Sequence, residues 1–337
     1  MPELPEVETI ARGLSRALGA QAEILEIVVG RADYVRSAGP GAAAALAGRR
    51  VRAITRHGKR LEIECDPPGR VLVHLGMSGQ LTVTRPGDPR EDHTHFVVRL
   101  ATSAGPREIR LRDPRRFGGV WLDPTGEDGE RVAVSGPSRR GGGETDGRTR
   151  SESRPDSGAR NGARPGGLGP DALAVDRPAF RALLSRPRQL KALLLDQSAI
   201  AGLGNIYCDE ALWAAELHPL TIASTLGPES VDRLWREMRR VLRSAIRAGG
   251  STLRDYRTAD GGDGGFQRRH RVYGREGLPC PRCGTAIRRS LAAGRSSHHC
   301  PRCQRRRAHR PATKARPRRV AADRPRRARA RRGPAPS

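Results

Sequence analysis

Between residues 22 and about 122, apolar and polar positions alternate with a period of two. Leu61, Ile63 and Cys65 interleave with Arg60, Glu62 and Glu64, and Ile109 and Leu111 interleave with charges. The same pattern runs through AEILEIVV, VRAITR, VLVHL, QLTVT, HFVVRL and GVWL. Short half-buried strands with Gly/Pro turns between them predict a β-sandwich or barrel. On either side the period lengthens. Over residues 5–18, Val7, Ile10, Leu14 and Leu18 fall at steps of three and four, which predicts an amphipathic helix, with Glu3, Glu6 and Glu8 where the helix dipole favours negative charge. Over residues 171–248 the stretches PAFRALLSR, LKALLLDQ, IYCDEALWAAEL and PESVDRLWREMRRVLRSAIRAG read as helices, the last stopped by Gly249 and Gly250.

Residues 124–167 follow neither period. They hold no aromatic residue and are dominated by Gly, Arg, Ser, Pro, Asp and Glu. Such a segment buries too little apolar surface to offset its ordering entropy and is expected to be a disordered linker.

Composition narrows the partner. The 337 residues leave room for two domains, and a net charge of +27 points to a polyanion, nucleic acid ahead of an acidic membrane. From Gln304 onward thirteen Arg and one Lys face one Asp, so +13 lies in a Pro/Ala/Arg tail expected to be disordered, and +14 remains on residues 1–303. No apolar run reaches the ~20 residues of a membrane helix, and the acidic start argues against a signal peptide.

Four of the six cysteines form Cys280-x2-Cys283-x16-Cys300-x2-Cys303, the spacing of a tetrahedral structural zinc site on a β-hairpin. Cys65 and Cys208 read as small buried hydrophobes. Between the zinc pairs, Arg288, Arg289 and Arg295 make the hairpin a basic probe for a DNA groove, with Arg295 near its tip. In AGLGNIY (201–207), Gly202 and Gly204 allow a tight turn and Asn205 can cap the next helix, so its first N–H groups are expected to take a phosphate. Met77, between Gly76 and Gly79, reads as an exposed wedge at a hairpin tip, and DPRRFGG supplies Arg115, Arg116 and Phe117 from a loop. His93 and His95 alternate as strand residues would and are expected to point the same way, suiting a phosphate contact better than a metal. Lys59 precedes a strand; taken alone it is an ordinary surface charge.

Together, MPELPEVETIARGL, HGKRL, HLGMSGQL, DPRRFG, LGPDAL, LLLDQSAIAGLGNIYCDEALW, GGSTLRDY, VYGREGLPC and the cysteine pattern resemble the Fpg branch of the Fpg/Nei family of DNA glycosylases, from residue 1 to about 303. The resemblance implies an α+β chain of two domains. These are an N-terminal helix and β-sandwich (1–123), then, after the linker, a helix-two-turn-helix region (168–262) and a lesion-loop end with a zinc finger (263–303), ahead of the tail (304–337). It further implies a bifunctional glycosylase and AP lyase acting on oxidised purines in duplex DNA, monomeric and cytoplasmic, with one structural zinc. By resemblance Pro2, freed of Met1, is the nucleophile and Glu3 the general acid/base. Lys59 assists β-elimination and Arg295 grips phosphate and is linked to δ-elimination. Met77, Arg115 and Phe117 fill the hole left by an extruded nucleotide, and His93, Arg186 and Asn205 contact the DNA backbone. The loop 255–267 matches the segment that caps the lesion. Two rival readings are a relative specific for oxidised pyrimidines and a non-catalytic zinc-finger protein that binds damaged DNA.

Overall fold

The computed structural model describes residues 2–37, 41–126 and 167–306. Most of the expected linker and all but the first three residues of the expected tail lie outside the described residues. Gln304, where that tail was expected to begin, is fully buried, donating to Leu217 O (2.9 Å) and accepting from Cys300 N (2.8 Å).

Helix α1 (Leu4–Leu18) starts one residue before its pattern predicts, with Glu3 as N-cap and Pro5 in the first turn, where a missing N–H costs nothing. It joins two cores. Leu4 belongs to the core of the helical region, whereas Val7, Ile10, Ala11, Leu14 and Leu18 belong to the core of the sheet region.

The sheet region contains β1 (Glu23–Val29), β2 (Val35–Ser37), a short helix α2 (Ala42–Ala45), β3 (Arg50–His57), β4 (Arg60–Asp66), β5 (Gly69–His74), β6 (Gln80–Thr84), β7 (Thr94–Ala101), β8 (Arg107–Arg112) and β9 (Gly119–Asp123). The strands run in the order β2-β9-β5-β4-β3-β1-β7-β8-β6. The link between β3 and β1 is a single register pair, Glu23↔Arg50, so the order divides into two half-sheets. Their inward rows meet in one core. Leu61 and Ile63 of β4 face Val73 and Val71 of β5, while Phe96 and Val98 of β7 face Leu111 and Ile109 of β8. Burying each such side chain contributes about 1.5–3 kcal/mol. Cys65 is buried among them, and that burial pushes its thiol up to about 11, as suits a packing residue.

One expectation is corrected here. Residues 75–79 are not a hairpin tip, because β5 pairs with β4 and β9 while β6 pairs with β8. The segment crosses between half-sheets, as does 113–118 between β8 and β9. Strand periodicity marks the strands but not their partners.

The helical region comprises α3 (Arg177–Leu184, capped by Asp176, which accepts from Ala179 N at 2.8 Å), α4 (Leu190–Leu195), α5 (Asn205–Ala214) and α6 (Pro228–Arg247). Every residue of α5 from Ile206 to Ala214 is buried, as a central helix requires. Helices α4 and α6 pack on it, as does the finger strand β11 (Arg295–His299). Its antiparallel partner is β10 (Arg288–Ala292), joined through Ala293 and Gly294 at φ 52° and 70°, the left-handed pair of a tight two-residue hairpin. Helix α6 ends at Gly249 and Gly250, both at positive φ.

Candidate active site

Pro2 is buried and leads directly into Glu3, whose backbone N donates to Glu6 Oε2 at 2.8 Å. The Glu3 carboxylate reaches across to the start of α5 and accepts from Gly204 N (2.8 Å), Ile206 N (2.9 Å) and Tyr207 N (3.3 Å). This corrects the expectation for AGLGNIY. The helix N-terminus does bind an anion, but that anion is Glu3 and not a phosphate. Gly204, not Asn205, is the N-cap, and Asn205 Nδ2 instead donates to Ser296 O of the finger (3.0 Å). Glycine is needed at 204 because a Cβ there would lie 2.2 Å from Glu3 Cδ.

Lys59 sits in the turn between β3 and β4, after Gly58 at φ 61°. The turn is pinned to the helical region: Gly58 N donates to Asp171 Oδ2 (2.8 Å), and Arg56 bridges Glu8 of α1 (2.8 Å) and Asp171. Lys59 is therefore more than a surface charge. Burial holds its ammonium below the usual lysine range, and the Arg295 charge adds to this, while Glu3 and Glu6 act in the opposite sense. Those influences put Glu3, Lys59 and Arg295 in one electrostatic neighbourhood.

Arg295 opens β11, one residue past the turn, as its place near the tip led us to expect. The strand is fixed from below by Asp209 of α5. Its Oδ1 accepts from Lys191 Nζ (2.7 Å) and Ser297 Oγ (3.0 Å), and its Oδ2 accepts from His298 N (2.8 Å). Lys191 is fully buried and also donates to Ser296 O (2.8 Å), the residue after Arg295.

Met77 and Phe117 are 41% and 45% exposed, high for large apolar side chains, and the Arg115 guanidinium stacks over the Phe117 ring at 4.5 Å. Their two crossovers touch, since a Cβ on Gly76 would fall 2.4 Å from Phe117 C. Both hang on Asp113, which is fully buried and accepts from Ser78 Oγ (2.6 Å), Tyr34 OH (3.0 Å) and Gly118 N (2.8 Å). His93 and His95 keep neighbouring rings, with centroids 6.3 Å apart and edge to face, but differ in burial. A register shift between Thr94 and Phe96 and a φ of 67° at His93 leave His93 exposed ahead of β7, while His95 is buried with Nε2 on Asp113 O (3.1 Å). Arg186 is exposed in the loop between α3 and α4.

The four cysteine sulfurs of the finger lie within 4.8 Å of one another, with Cys280–Cys303 at 4.0 Å and Cys283–Cys300 at 3.4 Å. A tetrahedron of Zn–S bonds of ~2.3 Å spaces sulfurs by about 3.8 Å. The donor set fits one structural zinc, with no coordination position left open.

Glu6, Asp113, Lys191 and Asp209 are buried groups beside the candidate residues that the pattern reading did not assign to the site. Glu6 is buried and accepts from Ser251 N (2.7 Å) and from Tyr207 OH. Burial, then the Glu3 charge, raises its carboxyl to about 7 against those hydrogen bonds. Its signal was present: an acid three residues after an N-cap is the second half of a capping box.

The chain was compared with known proteins. Residues 1–120 match the formamidopyrimidine-DNA glycosylase N-terminal domain, 168–257 the H2TH domain of the same enzymes, and 277–306 the zinc finger found in FPG and IleRS. The formamidopyrimidine-DNA glycosylase of Herpetosiphon aurantiacus is 39% identical, covering 90% of this chain and 100% of its own, and that of Heliobacterium modesticaldum is 41% identical at the same coverage. Among solved structures, the MutM (Fpg) protein of Thermus thermophilus aligns with TM-score 0.70 at 36% identity, over 91% of this chain and 100% of that one. The Lactococcus lactis Fpg complex with abasic-site DNA aligns at 0.70 and 29%, over 90% and 100%.

Proposed function

The chain belongs to the formamidopyrimidine-DNA glycosylase family and is a DNA glycosylase of base-excision repair, and we propose that it removes oxidised purines and then cuts the strand through an N-terminal proline. Once Met1 is removed, Pro2 carries a secondary α-amine. An α-amine titrates near ~7.7–8 against ~10.4 for lysine, so a useful fraction is unprotonated at neutral pH. Its lone pair attacks C1′ of the damaged nucleotide while the C1′–N bond breaks and the base leaves with a proton. Ring opening gives an iminium between Pro2 N and C1′. Loss of a C2′ proton expels the 3′ phosphate, loss of a C4′ proton expels the 5′ phosphate, and water releases Pro2.

The observation that carries this reading is the position of Glu3. It directly follows Pro2, is pinned by three N–H groups and shares its neighbourhood with Lys59 and Arg295. In this assignment Glu3 exchanges protons with the opening sugar, Lys59 assists β-elimination, and Arg295 holds the flanking phosphate for δ-elimination. C1′ is reachable only with the nucleotide out of the stack. Met77, Phe117 and the stacked Arg115 are the groups available to fill the gap, with His93, Arg186 and Asn205 on the backbone. One chain contains every part, so the active species is a monomer, acting in the cytoplasm on the chromosome. Relatives of this chain are bacterial, and no described helix is long and apolar enough to cross a membrane.

A Lactococcus lactis Fpg complex with oxidised-pyrimidine DNA favours a second reading, a broader lesion range. The deciding experiment compares single-turnover cleavage of duplexes holding 8-oxoguanine or thymine glycol. The proposal expects faster release of 8-oxoguanine and ends carrying phosphate on both sides of the gap. Faster thymine glycol release would move the chain to the pyrimidine reading.

A further inference from the structure

Helix α6 carries a second basic surface outside the site described above. Arg236, Arg240, Arg243 and Arg247 are exposed and follow one another at steps of four, three and four, so they form one stripe along the helix. With Arg239 and Trp235 they line a shallow hollow of about 550 Å³ that includes none of the candidate site residues. The hollow is built rather than merely charged. Trp235 is fixed by its Nε1–H on Val175 O (3.0 Å). The guanidinium carbons of Arg177 and Arg239 lie 5.4 and 4.8 Å from its ring centroid. Arg239 also donates to Leu173 O and to Val175 O (3.2 Å).

The positive charge is left largely uncompensated. Asp232 pairs with Arg181 (2.6 Å) and Arg177 and acts on Arg236 only at longer range, and Glu237 pairs with Arg240 (2.6 Å). Among the described residues, Arg236, Arg243 and Arg247 have no carboxylate within ion-pair distance. Burial, and to a lesser degree the neighbouring Arg243 charge, hold Arg239 below its ordinary range. Arg236 to Arg247 spans about 16 Å of helix, roughly the axial rise of five base pairs.

Helix α5 packs against both α6 and the finger strand β11. The hollow shares no lining residue with the Arg295 hairpin or with the crossovers that carry Met77 and Phe117. We propose that the α6 stripe binds the backbone of a second duplex segment while the lesion site holds the first. The enzyme would then pass between DNA segments without letting go of both.

The test uses the full chain saturated with a short duplex carrying a reduced abasic-site analogue, titrated with a fluorescent undamaged 20-base-pair duplex. The wild-type complex is expected to bind the second duplex. The variant R236Q/R243Q/R247Q is expected to bind it at least ~10-fold more weakly, with a salt slope reduced by about 0.9 per arginine removed. Cleavage of a short 8-oxoguanine duplex should be unchanged in that variant, which separates failure of this inference from failure of the glycosylase reading. A chain lacking residues 307–337 should still bind the second duplex. Equal binding by wild type and triple variant, complete dependence on residues 307–337, or capture of single-stranded RNA in place of duplex would each overturn the proposal.

Discussion

Two regions carry the side chains proposed to meet DNA, the paired crossovers with Met77 and Phe117 and the zinc hairpin with Arg295, and each rests on a buried aspartate. Asp113 gathers neutral donors from its own neighbourhood, namely Ser78, Tyr34 and Gly118. Asp209 gathers the buried ammonium of Lys191 together with Ser297 and His298 of the finger. The crossovers are backed by two half-sheets and their shared core. The hairpin is a two-stranded piece that cannot stand alone and depends on its metal and one desolvated ion pair. The two regions should therefore fail in different ways.

The largest difference should come from removing zinc, since structural zinc binding supplies about 10–16 kcal/mol in finger peptides. A strong chelator is expected to abolish amide-exchange protection over residues 288–299 and DNA cleavage, while strands β4, β5 and β8 keep their protection. Protection that survives in the hairpin would show that packing on α5 suffices. Next, Lys191→Met should cost about 3–5 kcal/mol in denaturant unfolding by stranding the Asp209 charge, and adding Asp209→Leu should recover much of that loss. A strictly additive double variant would contradict the pairing.

Asp113→Ala strands three donors but no charge, and is expected to cost about 2–4 kcal/mol with zinc content unaltered. Loss of zinc in that variant would mean that the two regions are not independent. The mildest case is Glu6, which like Asp113 has neutral donors but stands beside a like charge. Its carboxyl is raised from its ordinary 4.5 to about 7, so the folded chain keeps a proton that the unfolded chain releases. Its contribution is complete below pH 4.5 and is lost as pH rises to about 7. Relative to Glu6→Gln, wild-type stability should fall over that window by at most roughly 3 kcal/mol. A parallel pair of pH profiles would contradict the raised value.

The sheet strands other than β2, helices α1 and α3 to α6, and the zinc ligands were legible because each repeats a period or a spacing that one chain segment carries by itself. What escaped depends on partners remote in sequence. AGLGNIY advertises donors, but nothing local says that Glu3, about two hundred residues earlier, supplies the acceptor. The alternation of His93 and His95 does not tell that a register shift between Thr94 and Phe96 leaves one exposed and buries the other. Met77 was legible as exposed but not as part of a crossover, since pairing order is not written in any one strand. Lys191 left a faint trace as the single charge in an otherwise apolar run, LKALLL. Asp113 left none that distinguishes it from a turn aspartate.

The central claim is that the amine of Pro2 is the reagent. Borohydride reduction during reaction with an 8-oxoguanine duplex, followed by peptide mapping of the cross-linked chain, tests it most directly. The account predicts a covalent protein–DNA species with the sugar attached to an N-terminal Pro2, absent in Pro2→Gly and strongly reduced in Glu3→Gln. A cross-link mapped to Lys59 or another lysine, or a wild-type chain that retains Met1 and still cleaves at full rate, would contradict it.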